Sequence, residues 1–544
     1  MIQTSNIENA EALHLCGKIE KKESVAIALF LLALFLFRIY NLQIYDVISA
    51  DGTSYGPIGR AFFQTGSFRA FGTISGPVYS FLVGLLDLVL HDLERSLRLV
   101  SVVLSTATVG IVYFFARSLF GIKGGVSAAL ICTSLPFLHG MSGFDIIEPT
   151  FGFFLVSSAF VIWIAYLHKS VGFSLVAGLL VGVSYLSRSE GFITWFAIST
   201  LLISMAIKTA RSDGLKLLSR VVIPFCLGFL VLFMPYLVYL HAETGIWQLS
   251  GKNGLNAQVI REYLGKSGPD QKLRLDDKGG FDNGKNESLS RLIKEEPGLM
   301  KQNFINNLKQ FPIAVAGAMT WYLLAAVIAA IAFAPWSGQY LIARAILIGV
   351  CSPMVIYLLF FVQPRGLYPY IAFLCIWAGG GISLLDKVVP TLLRRFHVSL
   401  LLIAIIFICF VYADFPRQKP PYQYEQDGAR RDDKHIGQRL KTILPVDAII
   451  MTRSGRIGFY SGRQYLLPPQ ASYAEIMNYA FINKVTHLIV TPQIIGMRPQ
   501  LRPLFAPLET PFAPFVAPPE VRLIYTGMET GGLPYLVYQL LPPA

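Results

Sequence analysis

The chain has 544 residues, 54% of them hydrophobic, and a mean hydropathy of +0.54, which excludes a soluble domain of any ordinary class. Its formal net charge is +13, and in so apolar a chain that excess suits loops on anionic lipid, or an anionic lipid substrate, better than nucleic acid. The six cysteines argue against a disulfide framework or a metal site: five lie in apolar runs, Cys16 lies in the N-terminal tail, and no spacing suits a metal.

Residues 1–23 form a tail with Lys18, Lys21 and Lys22 ahead of the first apolar run, which predicts a cytoplasmic N-terminus. That run, Val25–Phe37, meets no small-residue cleavage site, so it predicts a retained anchor. A helical span needs about 20 apolar residues. Stretches of this kind are predicted over Ser24–Ile44, Leu97–Ala116, Gly121–Leu138, Thr150–Leu167, Gly172–Leu186, Phe192–Ala206, Val221–Leu240, Phe311–Phe333, Ile342–Phe361, Leu367–Leu385 and Val398–Tyr412. Alternation along this series puts Arg117/Lys123, Lys169, Lys208/Arg211/Lys216/Arg220 and Lys387/Arg394/Arg395 on the cytoplasmic side, as the excess of positive charge inside requires. It leaves external loops at 45–96 and 243–310, and a short one at Gly140–Pro149. Pro77–Leu90 is apolar but short, and as a span it would break the alternation, so it is expected to be interfacial or re-entrant. The loop from Glu243 to Gln310 is polar, with Asp276-Asp277-Lys278-Gly279-Gly280 within it, and is expected to be mobile.

The expected architecture is therefore a multi-pass α-helical membrane domain over 24–414, with about 11–13 spans, and a soluble α/β domain over 415–544 on the periplasmic side. In the latter, Pro445–Met451, Val485–Thr491, Arg522–Tyr525 and Tyr535–Leu541 predict short buried strands and Ala474–Phe481 a helix.

Chemistry is concentrated in the external loops. Asp51 follows the first span, with Tyr55 and Arg60 close behind, an arrangement suited to taking a proton beside an anion; Asp51 as a simple helix cap is the alternative. Asp145 and Glu148 lie three apart in the short loop, on one face if it is helical, and here too capping by Asp145 competes. Arg188, with Glu190 just beyond it, and Arg365, with Tyr368 just beyond it, sit at the ends of apolar runs. Ionisable groups there are costly and tend to be functional, and guanidinium suits phosphate, although snorkelling to lipid headgroups is an alternative for each. External Arg60, Arg69, Arg98 and Lys252 are further candidates for an anion. There is no paired histidine spacing, no local Ser or Cys nucleophile signature and no phosphate-cradling glycine loop.

In this order the residues resemble the GT-C superfamily, in particular the branch of protein O-mannosyltransferases and lipid A aminoarabinose transferases. The landmarks are Arg38 then Asp51, Tyr55 and Arg60; Gly76-Pro-Val-Tyr79; Arg98-Leu-Val-Ser101 with Tyr113 and Arg117-Ser-Leu-Phe-Gly121; Asp145; Gly178-Leu-Leu-Val-Gly182 through Arg188-Ser-Glu-Gly191; Pro235-Tyr236 through Thr244-Gly245; and Arg365 through Tyr370. The C-terminal domain with Phe459-Tyr-Ser-Gly-Arg463 is also usual in bacterial members, so the resemblance covers nearly the whole chain. One position departs: Gly52 stands where many members carry a second acidic residue after Asp51, which leaves fewer oxygen ligands for a divalent ion.

The resemblance implies transfer of a monosaccharide from a polyprenyl phosphate carrier to an acceptor on lipid A, another glycan or a protein, at the periplasmic face of a bacterial inner membrane. Asp51 and Asp145 would be the catalytic carboxylates, and Arg188, Arg365, Tyr368, Arg60 and Lys252 would serve the donor phosphate. Tyr55, Glu148 and Glu190 would complete the site. No cofactor is expected, a divalent ion being the one possible addition. A lipid-linked sugar transporter or flippase is the main rival and predicts internal repeats, which the sequence lacks; a polysaccharide polymerase or ligase is the third reading.

Overall fold

A computed structural model describes residues 20–264, 273, 275, 289–336, 338–388, 428–509, 516–528, 532 and 534–541. The chain divides into two compact units. The membrane unit takes the described residues up to Gln43, then Ile58–Gly251, then Gly298 to residue 388; the second unit takes Ile44–Pro57, the described parts of Lys252–Pro297, and residues from 428 on.

In the membrane unit each of the first ten expected spans is helical, and the eleventh, Val398–Tyr412, lies outside the described residues. Among the described residues, seven helices are long and apolar enough to cross a membrane, or eight with one bent pair. One of the seven, Leu93–Ser134, hides a turn. Gly121 leaves the helical conformation at φ +77°, ψ −177°. A Cβ built on Gly125 would lie 3.0 Å from the Tyr113 carbonyl oxygen, whereas twelve residues of straight helix rise about 18 Å. The chain therefore doubles back, and the two expected spans on either side of Gly121 form a hairpin.

The expected span Phe311–Phe333 falls on a bent pair of helices. Pro297–Met319 and Trp321–Phe333 meet at 96°, with Thr320 between them at φ +67°. The segment expected as the external loop 243–310 contains the helices Asn253–Tyr263 and Leu289–Glu295 and the start of Pro297–Met319. The Asp276–Gly280 stretch lies outside the described residues. Pro77–Leu90 is a single 14-residue helix, shorter than a span.

Glycines decide how closely these helices approach. A side chain on Gly178 would meet the Phe225 carbonyl at 2.1 Å, and one on Gly228 the Leu175 carbonyl at 2.3 Å, so Val171–Ser187 and Ile223–Thr244 touch backbone to backbone. Contacts also show which helix ends meet. Glu23, at the start of the first span, pairs with Arg117, and Tyr340 bonds the Leu119 carbonyl, while Asn41 at the other end of the first span reaches His139. Arg69 pairs with Glu243 at 2.9 Å, joining two segments that the alternation puts outside.

In the second unit five strands, β1 Ile449–Met451, β2 Gln464–Leu466, β3 His487–Val490, β4 Val521–Met528 and β5 Pro534–Leu540, form one sheet in the order β2-β1-β3-β5-β4. β1 runs parallel to β2 and β3, and β5 antiparallel to β3 and β4. Strand alternation sorts the core onto two faces. Leu488, Val490, Leu536 and Tyr538 pack with helix Tyr473–Ile482 on one face, and Ile489, Tyr535 and Val537 pack with helix Gly428–Ile443 on the other. β2, with one exposed and two half-buried residues, carries too little apolar signal to be read from sequence.

Candidate active site

In the membrane unit, helix Glu148–His168 begins at Glu148 after a non-helical turn, so Asp145 and Glu148 do not share a helical face as the three-residue spacing suggested. Nor does Asp145 cap that helix: the cap position is Ile147, with no side-chain cap bond. Both carboxylates are buried, with Asp145 and Glu148 each only 1% exposed, rather than displayed on an open loop. The turn is held from below: Ser105 donates to the Ser142 carbonyl at 3.2 Å and Ser101 to the Ile146 carbonyl at 3.4 Å. Arg38, buried in the first span, donates to Ser105 and Thr106.

Beside that turn four of the predicted residues converge. Val171–Ser187 ends one residue before Arg188, where the chain turns extended, and the next helix opens on Glu190. Arg188 donates through Nη1 to Glu148 Oε1 at 2.7 Å, and through Nη2 and Nε to Glu190 Oε1 at 2.7 and 3.1 Å. Arg365, on the short turn Pro364–Leu367, brings its Nε within 3.7 Å of the same Glu148 oxygen and donates to Gln363 at 3.1 Å. Two arginines and two glutamates thus neutralise one another, the arrangement that makes buried charge tolerable. Glu148 Oε2 has no hydrogen-bond partner among the described residues. Arg188 also lies over the Phe151 ring at 5.9 Å.

Exposure differs within the cluster: the Glu148 side chain is 2% exposed, Arg188 22% and Arg365 32%, so Arg365 is the cation a ligand can best reach. Tyr357 completes the frame, donating to the Gly366 carbonyl at 3.1 Å and lying 3.3 Å from Glu190. It was not predicted, since a lone tyrosine near the end of an apolar run has no distinguishing spacing. Tyr368 is buried with its ring against Gly152, where a side chain would come within 3.3 Å, so it packs the start of its helix onto the Glu148 helix. Gly76, the first residue of the Gly-Pro-Val-Tyr landmark, sits against the Leu186 and Ser187 carbonyls, where a Cβ would come within 2.2 and 2.4 Å. That close approach positions the segment leading into Arg188.

The other predicted residues have partners of their own or belong to the second unit. Arg60 makes a two-pronged ion pair with Asp87 at 2.7 and 2.8 Å, joining its helix to Pro77–Leu90. Lys252 belongs to the second unit, just ahead of helix Asn253–Tyr263. Asp51 and Tyr55 also belong to the second unit. Asp51 is half-buried in the turn that opens helix Gly52–Thr65, and its carbonyl accepts from the amides of Ser54 and Tyr55. No group of three His, Cys, Asp or Glu side chains suited to a metal ion occurs among the described residues. Glu148 and Glu190 already carry arginines, so this donor set does not fit a divalent ion.

A family model described as dolichyl-phosphate-mannose-protein mannosyltransferase matches residues 75–239, less than half of the chain. Comparison with curated protein sequences finds no match. Among solved structures, ArnT from Cupriavidus metallidurans is similar over 96% of this chain and 98% of its own in the apo state, with TM-score 0.59 and 13% identity. The same protein bound to undecaprenyl phosphate gives TM-score 0.56 and 14% identity, over 95% and 98%. The Archaeoglobus fulgidus oligosaccharyltransferase in the apo form is similar over 95% of this chain and 74% of its own, with TM-score 0.55 and 13% identity. The chain has the GT-C membrane fold.

Proposed function

We infer that this membrane protein of the GT-C fold is a glycosyltransferase that moves a monosaccharide from a polyprenyl phosphate to an acceptor hydroxyl or phosphate. The observation that carries the reading is the Glu148–Arg188–Glu190–Arg365 cluster, built around the buried Glu148 at the ends of apolar helices, in a chain similar almost end to end to a protein crystallised with undecaprenyl phosphate. The chemistry balances with two groups. Asp51 takes the proton of the acceptor as its oxygen bonds to the anomeric carbon, and the sugar–phosphate C–O bond breaks with its electron pair passing to the phosphate. Arg365, with Arg188 behind it, stabilises the charge growing on the leaving phosphate. Asp145 is the second carboxylate of the site. The cell membrane of a bacterium, with the C-terminal domain on its outer side, is the setting proposed. A divalent ion is assigned no step.

The test is turnover of a labelled polyprenyl-phosphate monosaccharide by the full chain in vesicles. Asp51→Asn keeps the side-chain shape but removes the base, and general-base removal is expected to lower turnover by about 10²–10⁴-fold with folding intact. Wild-type turnover in this variant would remove Asp51 from the mechanism. In the same assay chelator is expected to leave the wild-type rate unchanged, and a loss restored by magnesium or manganese would add a metal to the site.

A further inference from the structure

The loop that carries Asp51 is gripped, mostly through its backbone, by two helices of the C-terminal segment. Arg456 and Tyr460 lie four apart on helix Gly455–Ser461 and so share one face. Both act on Ile48: the Ile48 amide donates to the Tyr460 hydroxyl at 2.9 Å, and Arg456 Nε donates to the Ile48 carbonyl at 2.7 Å. Ile48 is fully buried and Arg456 is 5% exposed, so both bonds are shielded from water. Two residues earlier, Arg431 pairs with the Asp46 carboxylate at 2.6 Å and Lys434 donates to the Asp46 carbonyl at 2.9 Å. Arg431 and Lys434 are three apart on helix Gly428–Ile443, and Lys434 also lies over the Tyr460 ring at 4.9 Å.

From this grip to Asp51 the chain has no slack. The Gly52 amide donates to Ser49 Oγ at 3.0 Å and the Thr53 hydroxyl to the Ala50 carbonyl at 2.7 Å. A side chain on Gly455 would come within 2.8 Å of Thr53 Oγ1, so this glycine lets the clamp helix approach. Asp51 is only three residues from Ile48, within about 10 Å of chain.

We propose that Arg456 and Tyr460 are positioning residues for Asp51, holding both backbone polar groups of Ile48 so that the carboxylate keeps one orientation. This rests on the assignment of Asp51 as the base. Reactions lose rate steeply when a catalytic group is displaced by about 1 Å, so a clamp on the backbone acts on turnover more than on donor affinity.

Tyr460→Phe removes the acceptor for the Ile48 amide, Arg456→Met removes the donor to its carbonyl, and Arg456→Lys restores a donor. The full chain in vesicles would be followed by turnover of the polyprenyl-phosphate monosaccharide that the wild type consumes and by hydrogen exchange across residues 44–57. For Tyr460→Phe combined with Arg456→Met, kcat is expected to fall by about ten-fold or more while donor KM stays within about two-fold. Exchange over 44–57 should quicken while exchange in β3 and β5 stays at the wild-type rate, and Arg456→Lys should recover most of the activity lost in Arg456→Met. Wild-type kcat in the double variant would overturn the proposal, as would a lost kcat with 44–57 still protected or with the whole sheet exchanging faster. Failure of the functional reading would show separately, as full activity in Asp51→Asn.

Discussion

The two regions that hold the candidate chemistry are stabilised in opposite ways. Around Glu148, charge is held by charge: two arginines share one oxygen of a buried carboxylate. Around Ile48, side chains hold backbone, and each bond joins one charged or hydroxyl group to a peptide. Removing an arginine from the first set weakens the pairing of the buried Glu148 charge, whereas removing a member of the second loosens a loop whose core stays intact. The membrane cluster therefore resists substitution through stability, and the loop clamp resists it through geometry.

Glu148→Ala sets that contrast at its widest. It leaves Arg365 without its carboxylate and Arg188 with Glu190 alone, and because both guanidiniums are partly exposed the cost is expected toward the lower end of the about 3–5 kcal/mol of a broken buried pair. Thermal unfolding in detergent should show a large fall for Glu148→Ala and a smaller one for Glu148→Gln, whose amide oxygen still accepts from Arg188. Equal stability of Glu148→Ala and wild type would show that the cluster is not structural.

A smaller effect is expected where the cluster meets a ligand. Arg365→Lys keeps one positive charge but loses the flat two-pronged donor set, and a hydrogen bond between charged groups contributes about 1.5–3 kcal/mol. Donor KM should rise by roughly ten-fold or more with the unfolding midpoint nearly unchanged. An unchanged KM in Arg365→Ala would take this residue out of the donor site and leave Arg188 as the cation to examine.

The smallest effect belongs to the second unit alone. His487, on β3, is held below its usual value of 6.5 by burial, with Thr486 Oγ1 2.8 Å from Nδ1. The unfolded chain therefore takes up a proton more readily than the folded one as pH falls below about 6.5. Stability from the neutral ring is present above that pH and is lost as acidification approaches the lower folded value. A modest drop in the melting midpoint between pH 7 and 5 should flatten in His487→Asn, and an identical slope in that variant would assign the loss to other groups.

Much of this was determined by the sequence alone. Hydrophobic runs of span length, lysines and arginines on alternate connections, and four short apolar strands are local signals, because lipid solvation and strand burial act on neighbouring residues. They sufficed for the helical character of the first ten expected spans, for strands β1, β3, β4 and β5, and for Arg188, Arg365, Glu148 and Glu190 as residues to watch. The remainder required the tertiary structure. That Glu148 answers both arginines, that Arg60 is taken by Asp87, and that the chain bends by 96° at Thr320 depend on which helix ends meet. The clamp on Ile48 is the extreme case, joining residues 408 and 412 positions apart. Such pairings leave no periodicity to read, because a hydrogen bond depends on separation in space and not along the chain.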